Sequence, residues 1–292
     1  MTPSAEHRVH THALAYKAYE IEELADIYFF RPLGGCVARA ADAAGLSPTH
    51  VTLIGAAVGV VAGLLLYDDR LGLLGFALLI VHSVIDSADG QLARTTGRVT
   101  ELGRILDGVG GYMTHAAIYG AILAGFLARD GSLSIIALAV LSAISNIAHA
   151  QLYEYFRNSY AAVAIKGTVP RHRPSAALSP AAHALLRIYE QSQQRLVASH
   201  ADVESAIAAR SADGVVSDAD RARYRECFYW PVRGWNFLGD NTRIYAIGAL
   251  AWIHHLEWFF AFVVVLMNAV TAALWFWQRH ADRRFLYSAV VG

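Results

Sequence analysis

The chain predicts an all-α polytopic membrane protein: six transmembrane helices, an N-terminal interfacial helix and a cytoplasmic helical insert. Three observations predict it. Hydrophobic residues make up 55% of the 292-residue chain, and the mean hydropathy is +0.35. Apolar runs recur at close to the ~20 residues that a helix needs to cross a bilayer. The basic residues collect on one side of those runs, as topology requires. A net charge of zero fits a small membrane protein with a sizeable polar portion.

Taken in order, residues 1–18 carry three histidines and no long apolar run, so no signal peptide is expected. Tyr19 to Gly45 interleaves polar and apolar positions at helical spacing. That predicts a helix lying on the inner surface, broken around Pro32–Gly35. Pro48 then precedes the first span. Spans are expected near 50–67, 71–93, 103–128, 132–155, 241–254 and 256–278, of which the first and fifth are short. The corresponding divisions are an N-terminal segment (1–49), four spans (50–157), the insert (158–238), and two spans with the tail (239–292).

With both termini on the cytoplasmic side, the outer loops hold only Arg70 and Arg129 of 24 Lys plus Arg residues. The opposite orientation puts nearly all of them outside, so the charge count selects the first. The location expected is a bacterial inner membrane. Within 158–238 a proline-and-basic patch at 169–174 leads into helical sequence over about 179–210, then a turn-rich run and an arginine cluster at 221–225. This reads as a solvated helical hairpin or as a lid over a site. Cys36 and Cys227 both fall on the reducing side, so no disulfide is expected.

The chemistry sits in Asp86-Ser-Ala-Asp89-Gly90-Gln-Leu-Ala93-Arg94, followed by Gly103-Arg-Ile-Leu-Asp107. A carboxylate at membrane depth costs at least ~2.5 kcal/mol, so three at the inner ends of two spans imply a shared cation, a wet cavity, or both. Asp86 and Asp89 lie about 60° apart on a helix and can hold one ion together. Oxygen-only ligation suits Mg²⁺ or Mn²⁺, ions that usually also bind substrate phosphates. The plainer alternative is that the acids pair with Arg94, Arg98 and Arg104 to lock two helix ends.

This run resembles the signature of the CDP-alcohol phosphatidyltransferase family, D-x2-D-G-x2-A-R-x8-G-x3-D-x3-D. Asp86, Asp89, Gly90, Ala93, Arg94, Gly103 and Asp107 match it at the family's spacing. Ser47-Pro48-Thr49-His50-Val51-Thr52 resembles the family's T-P-N-x-V-T, with Thr49 where Asn is usual. The resemblance implies that Asp86, Asp89 and Asp107 hold metal, and that Gly90, Ala93 and Arg94, with Thr52, line the CDP portion. It implies a CDP-alcohol donor, a hydroxyl acceptor, membrane lipids as surroundings and a homodimer; no nucleic-acid partner is expected.

The last signature position departs: the fourth Asp falls on Gly111, and no acid occurs between Asp107 and Asp130. By the resemblance that Asp ligates metal and serves as base. His115 shares a face with Asp107 and Gly111, about 12 Å from Asp107 along the axis, and is the candidate catalytic base beside Asp107. His82 shares a face with Asp86. Each histidine is equally readable as a hydrogen-bonded packing residue. A water, or a carboxylate from the insert, can also fill the vacated role.

Ser142, Asn146, His149, Tyr153 and Arg157 form a polar stripe along the fourth span. It reads either as helix–helix hydrogen bonding or as a wall of the acceptor cavity. Asp240-Asn241-Thr242-Arg243 opens the fifth span like an N-cap. Arg157 and Arg243 are the candidates for an acceptor phosphate or head group. His254-His255-Leu256-Glu257 falls in an outer turn beside Trp252 and Trp258, and reads as interfacial.

The activity implied is phosphatidyl transfer from a CDP-alcohol, CDP-diacylglycerol first, to a hydroxyl acceptor, with CMP released. Transfer of a small CDP-linked head group to a lipid hydroxyl is the alternative within the class. A binding protein that lost its base is the alternative outside it. A metal-coupled transporter would want acids through the bilayer depth, and here they gather at the cytoplasmic ends.

Overall fold

The computed structural model describes residues 19–129, 131–170, 197–211 and 213–291. Those residues are helical, with one isolated bridge between Thr168 and Val215 in place of any strand. The expected patch at 169–174 and most of the helix expected over 179–210 lie outside the described residues, as do residues 1–18. The helices are α1 (Arg31–Ala43), α2 (Pro48–Leu65), α3 (Gly72–Thr95), α4 (Glu101–Arg129) and α5 (Ser134–Tyr160). Then come α6 (197–210), α7 (Asp218–Trp235), α8 (Asp240–Trp252), α9 (Trp258–Ala261) and α10 (Asn268–Val291). A π-turn, Phe262–Met267, separates α9 from α10 in the chain.

Among the described residues, five helices are long and apolar enough to cross a membrane: Pro48–Leu65, Gly72–Thr95, Glu101–Arg129, Ser134–Lys166 and Trp258–Tyr287. The expected fifth span is the exception, because α8 has 13 residues. At 1.5 Å per residue it reaches about 20 Å, against a ~30 Å hydrocarbon core.

The chain divides into two compact units: Met1–Ile144 with Asp240–Val265, and Ser145–Gly239 with Leu266–Gly292. In the first, α2 packs against α3 and α4, while α1 and α8 both pack on α3. Pro48 is the first residue of α2, where its missing N–H costs nothing. Ser47 caps that helix by accepting from the His50 N–H at 3.3 Å, and His50 Nδ1 accepts from the Ser47 N–H at 3.2 Å. The expected break at Pro32–Gly35 is displaced. A π-turn at Asp26–Phe30 comes first, and α1 then runs unbroken through both glycines because Pro32 sits in its first turn. Leu24, Tyr28, Phe29 and Leu33 are exposed there.

Small residues let α2 and α4 approach closely. A Cβ on Gly63 would lie 2.8 Å from the Ile118 backbone nitrogen, and one on Gly110 2.9 Å from Ala56 Cβ. Gly125 is tighter, because its Cβ would collide with the Tyr67 carbonyl, which is backbone and cannot swing away. Gly125→Val is therefore expected to destabilise by about 1–3 kcal/mol, the usual range for overpacking. Thermal unfolding in detergent checks this, and an unchanged midpoint would contradict it.

At the C-terminal end of α4, Arg129 pairs with Asp69 at 2.5 Å and lies 3.8 Å from Glu257. Burial pushes the Asp69 carboxyl above its ordinary range against the pull of Arg129. His255 Nδ1 lies 2.9 Å from Glu257, and its ring contacts Trp258. His255 is thus engaged with an acid and an aromatic ring of the same turn.

In the second unit, α7 packs on α10 around stacked aromatics, with Phe156 and Trp235 rings 4.6 Å apart. At its centre lies a buried polar network. Asp282 accepts from His200 Nδ1 at 2.8 Å, from Ser199 Oγ at 2.6 Å and from Gln278 Nε2 at 3.2 Å. The other nitrogen, His200 Nε2, is 2.8 Å from the Tyr224 hydroxyl. Ser159 of α5 donates to Glu204 of α6. Cys227 is buried in this unit, while Cys36 is exposed in the first.

Candidate active site

Each carboxylate is delivered by the register of its helix. In α3, residues 86, 89 and 90 lie within the last three turns, where an apolar helix reaches its polar end. Asp107 lies in the second turn of α4, which begins at Glu101. Close packing of both helices on α2 brings these ends together. One oxygen from each of Asp86, Asp89 and Asp107 falls within 4.8 Å of the others.

The arrangement fits a hard cation. All three donors are carboxylate oxygens, and Asp89 Oδ2 is buried with no hydrogen-bond partner. A buried orphan oxygen beside two further carboxylates is costly unless positive charge joins them. Of the arginines in the plainer expectation, Arg104 turns instead to Glu101 at 3.8 Å. Among the described residues this is the only group of three or more potential metal ligands.

The acids line a pocket with Thr52, Gly55, Ala56, His82, Gly110 and Gly111. Thr52 in that lining donates its hydroxyl to the Pro48 carbonyl at 3.0 Å. Gly90 makes room for Arg94, whose Nη1 lies 3.1 Å from where a Cβ would stand. Ala93 and Arg94 are half-buried on the same helix end. Of the glycines near the vacated position, Gly110 serves packing against Ala56, whereas a Cβ on Gly108 or Gly111 meets nothing within 4 Å.

Both histidines are hydrogen-bonded within the helices. His82 Nδ1 lies 2.9 Å from the Gly55 carbonyl and His115 Nδ1 2.9 Å from the Gly111 carbonyl. Since a carbonyl only accepts, both Nδ1 atoms carry hydrogen. His115 Nε2 stands 3.6 Å from Asp240 Oδ1, and Arg243 Nη1 lies 3.1 Å from that same oxygen. Arg243 is 3% exposed. Arg157 belongs to the second unit, where it donates to the Tyr153 hydroxyl at 2.8 Å and to Asn236 at 3.2 Å.

The polar stripe divides likewise. Ser142 bonds to the Tyr119 hydroxyl at 3.1 Å in the first unit. In the second, His149 Nε2 lies 2.8 Å from Asn268 Oδ1, and Asn268 Nδ2 donates to Ser145. These are the helix–helix bonds of the plainer reading. Asp240 as a neighbour of His115 was missed. Its signal was an acid at the very start of an apolar helix, read only as a cap.

Helices of membrane-spanning length with carboxylates converging at their polar ends define a class: integral membrane proteins with an acidic cluster that could hold a cation. Residues 46–186, just under half of the chain, match the family model CDP-alcohol phosphatidyltransferase, and over this segment the chain is similar to that family. It is an integral membrane protein. Archaetidylinositol phosphate synthase of Pyrococcus horikoshii is 34% identical over 85 residues, which is 29% of this chain and 45% of that relative. The match thus spans less than half of the curated relative. No solved structure matches.

Proposed function

We propose that the chain transfers a phosphatidyl group from CDP-diacylglycerol to the hydroxyl of a polar alcohol, releasing CMP, in phospholipid biosynthesis. The observation that carries this is the convergence of Asp86, Asp89 and Asp107 within 4.8 Å, inside the segment that matches the family. Mg²⁺ or Mn²⁺ held by these carboxylates would neutralise the donor diphosphate and the departing CMP. Thr52, Gly90, Ala93 and Arg94 lie along the nucleotide portion, and the open space at Gly111 is the acceptor's side of the pocket. Arg243 and Arg157 are the candidates for an acceptor phosphate. The product named for the relative contains inositol phosphate, so inositol phosphate is the acceptor to try first. The distribution of arginines supports a site facing the cytoplasm.

The test is CMP release by purified protein in lipid-containing detergent with Mg²⁺ or Mn²⁺. CDP-dioleoylglycerol is offered with inositol phosphate, glycerol phosphate and serine; CDP-ethanolamine and CDP-choline are offered with dioleoylglycerol. Release from CDP-dioleoylglycerol is expected. Release only from a small CDP-alcohol would reverse which substrate carries the lipid. Nucleotide binding without any CMP would favour a binding protein, the second reading that Gly111 raises.

A further inference from the structure

The unanswered chemical question is where the acceptor's proton goes. Gly111 leaves open space at the wall of the pocket, since a Cβ there meets nothing within 4 Å. One turn further along the same face of α4 stands His115, locked in one tautomer. Its Nδ1–H donates to the Gly111 carbonyl at 2.9 Å, which leaves the lone pair on Nε2. That nitrogen faces Asp240 Oδ1 at 3.6 Å, a carboxylate that balances the ring's charge once the nitrogen is protonated. Asp240 is in turn held by Arg243 at 3.1 Å. A backbone bond thus orients the ring, and a carboxylate stands near the nitrogen that would receive the proton.

We propose that His115, positioned and charge-compensated by Asp240, takes over the proton-accepting role of the carboxylate missing at Gly111, with the acceptor hydroxyl seated over Gly111. This rests on the transferase reading above. The hydroxyl proton passes to His115 Nε2 as the oxygen bonds to the lipid-bearing phosphorus. The bridging P–O bond to CMP breaks, and CMP leaves with the electron pair. The imidazolium stands beside the Asp240 carboxylate until it loses its proton to water. Other charged or titratable groups near His115 are Arg243 from α8 and His82 from α3.

The experiment uses the full chain in proteoliposomes with Mg²⁺, CDP-dioleoylglycerol and a pool of inositol phosphate, glycerol phosphate and serine. His115→Asn keeps a donor for the Gly111 carbonyl while removing Nε2, and size-exclusion elution with Mn²⁺ binding verifies its fold. It is expected to lower kcat by about 10²-fold or more, with the donor KM within about threefold. Asp240→Asn is expected to lower kcat about tenfold, with recovery in Asp240→Glu, and to add little in the His115→Asn background. Gly111→Asp, which the open space accommodates, is expected to recover at least about tenfold of the kcat lost in His115→Asn. Three results overturn the assignment: His115→Asn within threefold of wild-type kcat, an Asp240→Asn loss undiminished in the His115→Asn background, or the loss falling on His82→Asn instead. Wild-type protein that releases no CMP overturns the transferase reading itself, and the dyad's role with it.

Discussion

Asp107→Asn is expected to reduce CMP release by about 10³-fold while the protein still elutes as a folded species in detergent. The residue is exposed at the polar end of α4, so the substitution removes no packing. It does take away one of only three carboxylates within 4.8 Å of one another. Cation stabilisation of a transferring phosphoryl group is worth several kcal/mol, and each 1.36 kcal/mol is tenfold in rate. Mn²⁺ binding measured in parallel should weaken with activity. Turnover within tenfold of wild type, or weak turnover with undiminished Mn²⁺ binding, would remove Asp107 from the metal site.

The largest effect on stability is expected at His200→Ala. His200 is 1% exposed and bridges Asp282 and Tyr224 at 2.8 Å each. Its loss leaves Asp282, itself fully buried, with only Ser199 and Gln278 as donors, and strands the Tyr224 hydroxyl. Breaking a buried carboxylate–imidazole pair from one side costs about 3–5 kcal/mol, and the cavity left among Phe156, Tyr224 and Phe228 adds to it. Thermal unfolding followed by size-exclusion should show a fall of many degrees. A midpoint within a degree or two of wild type would show that the network carries little of this unit's stability.

What the sequence made legible was local. Asp86, Asp89 and Asp107 could be placed because helix periodicity fixes which residues share a face, and because charge at the end of an apolar run needs a reason. The five long spans were legible from length and hydropathy alone. The sixth was not: α8 is apolar, yet it stops after 13 residues, and composition does not say where a helix stops. Gly111 and His115 were visible as a pair on one face. Asp240, 125 residues after His115, was not, because no local pattern announces which helix end a distant acid will meet. The network of His200, Asp282, Tyr224 and Gln278 was hidden for the same reason. Its members come from three helices, and each alone looks like an ordinary solvent-facing residue.

The central claim is that the three carboxylates hold a divalent cation that phosphatidyl transfer requires. It is tested most directly by following CMP release from CDP-dioleoylglycerol with the polar-alcohol pool while the metal is removed and returned. The account predicts no release in EDTA and recovery on adding Mg²⁺ or Mn²⁺, with Asp89→Asn and Asp107→Asn silent under both conditions. Release that persists in EDTA, or that survives both substitutions, would contradict it.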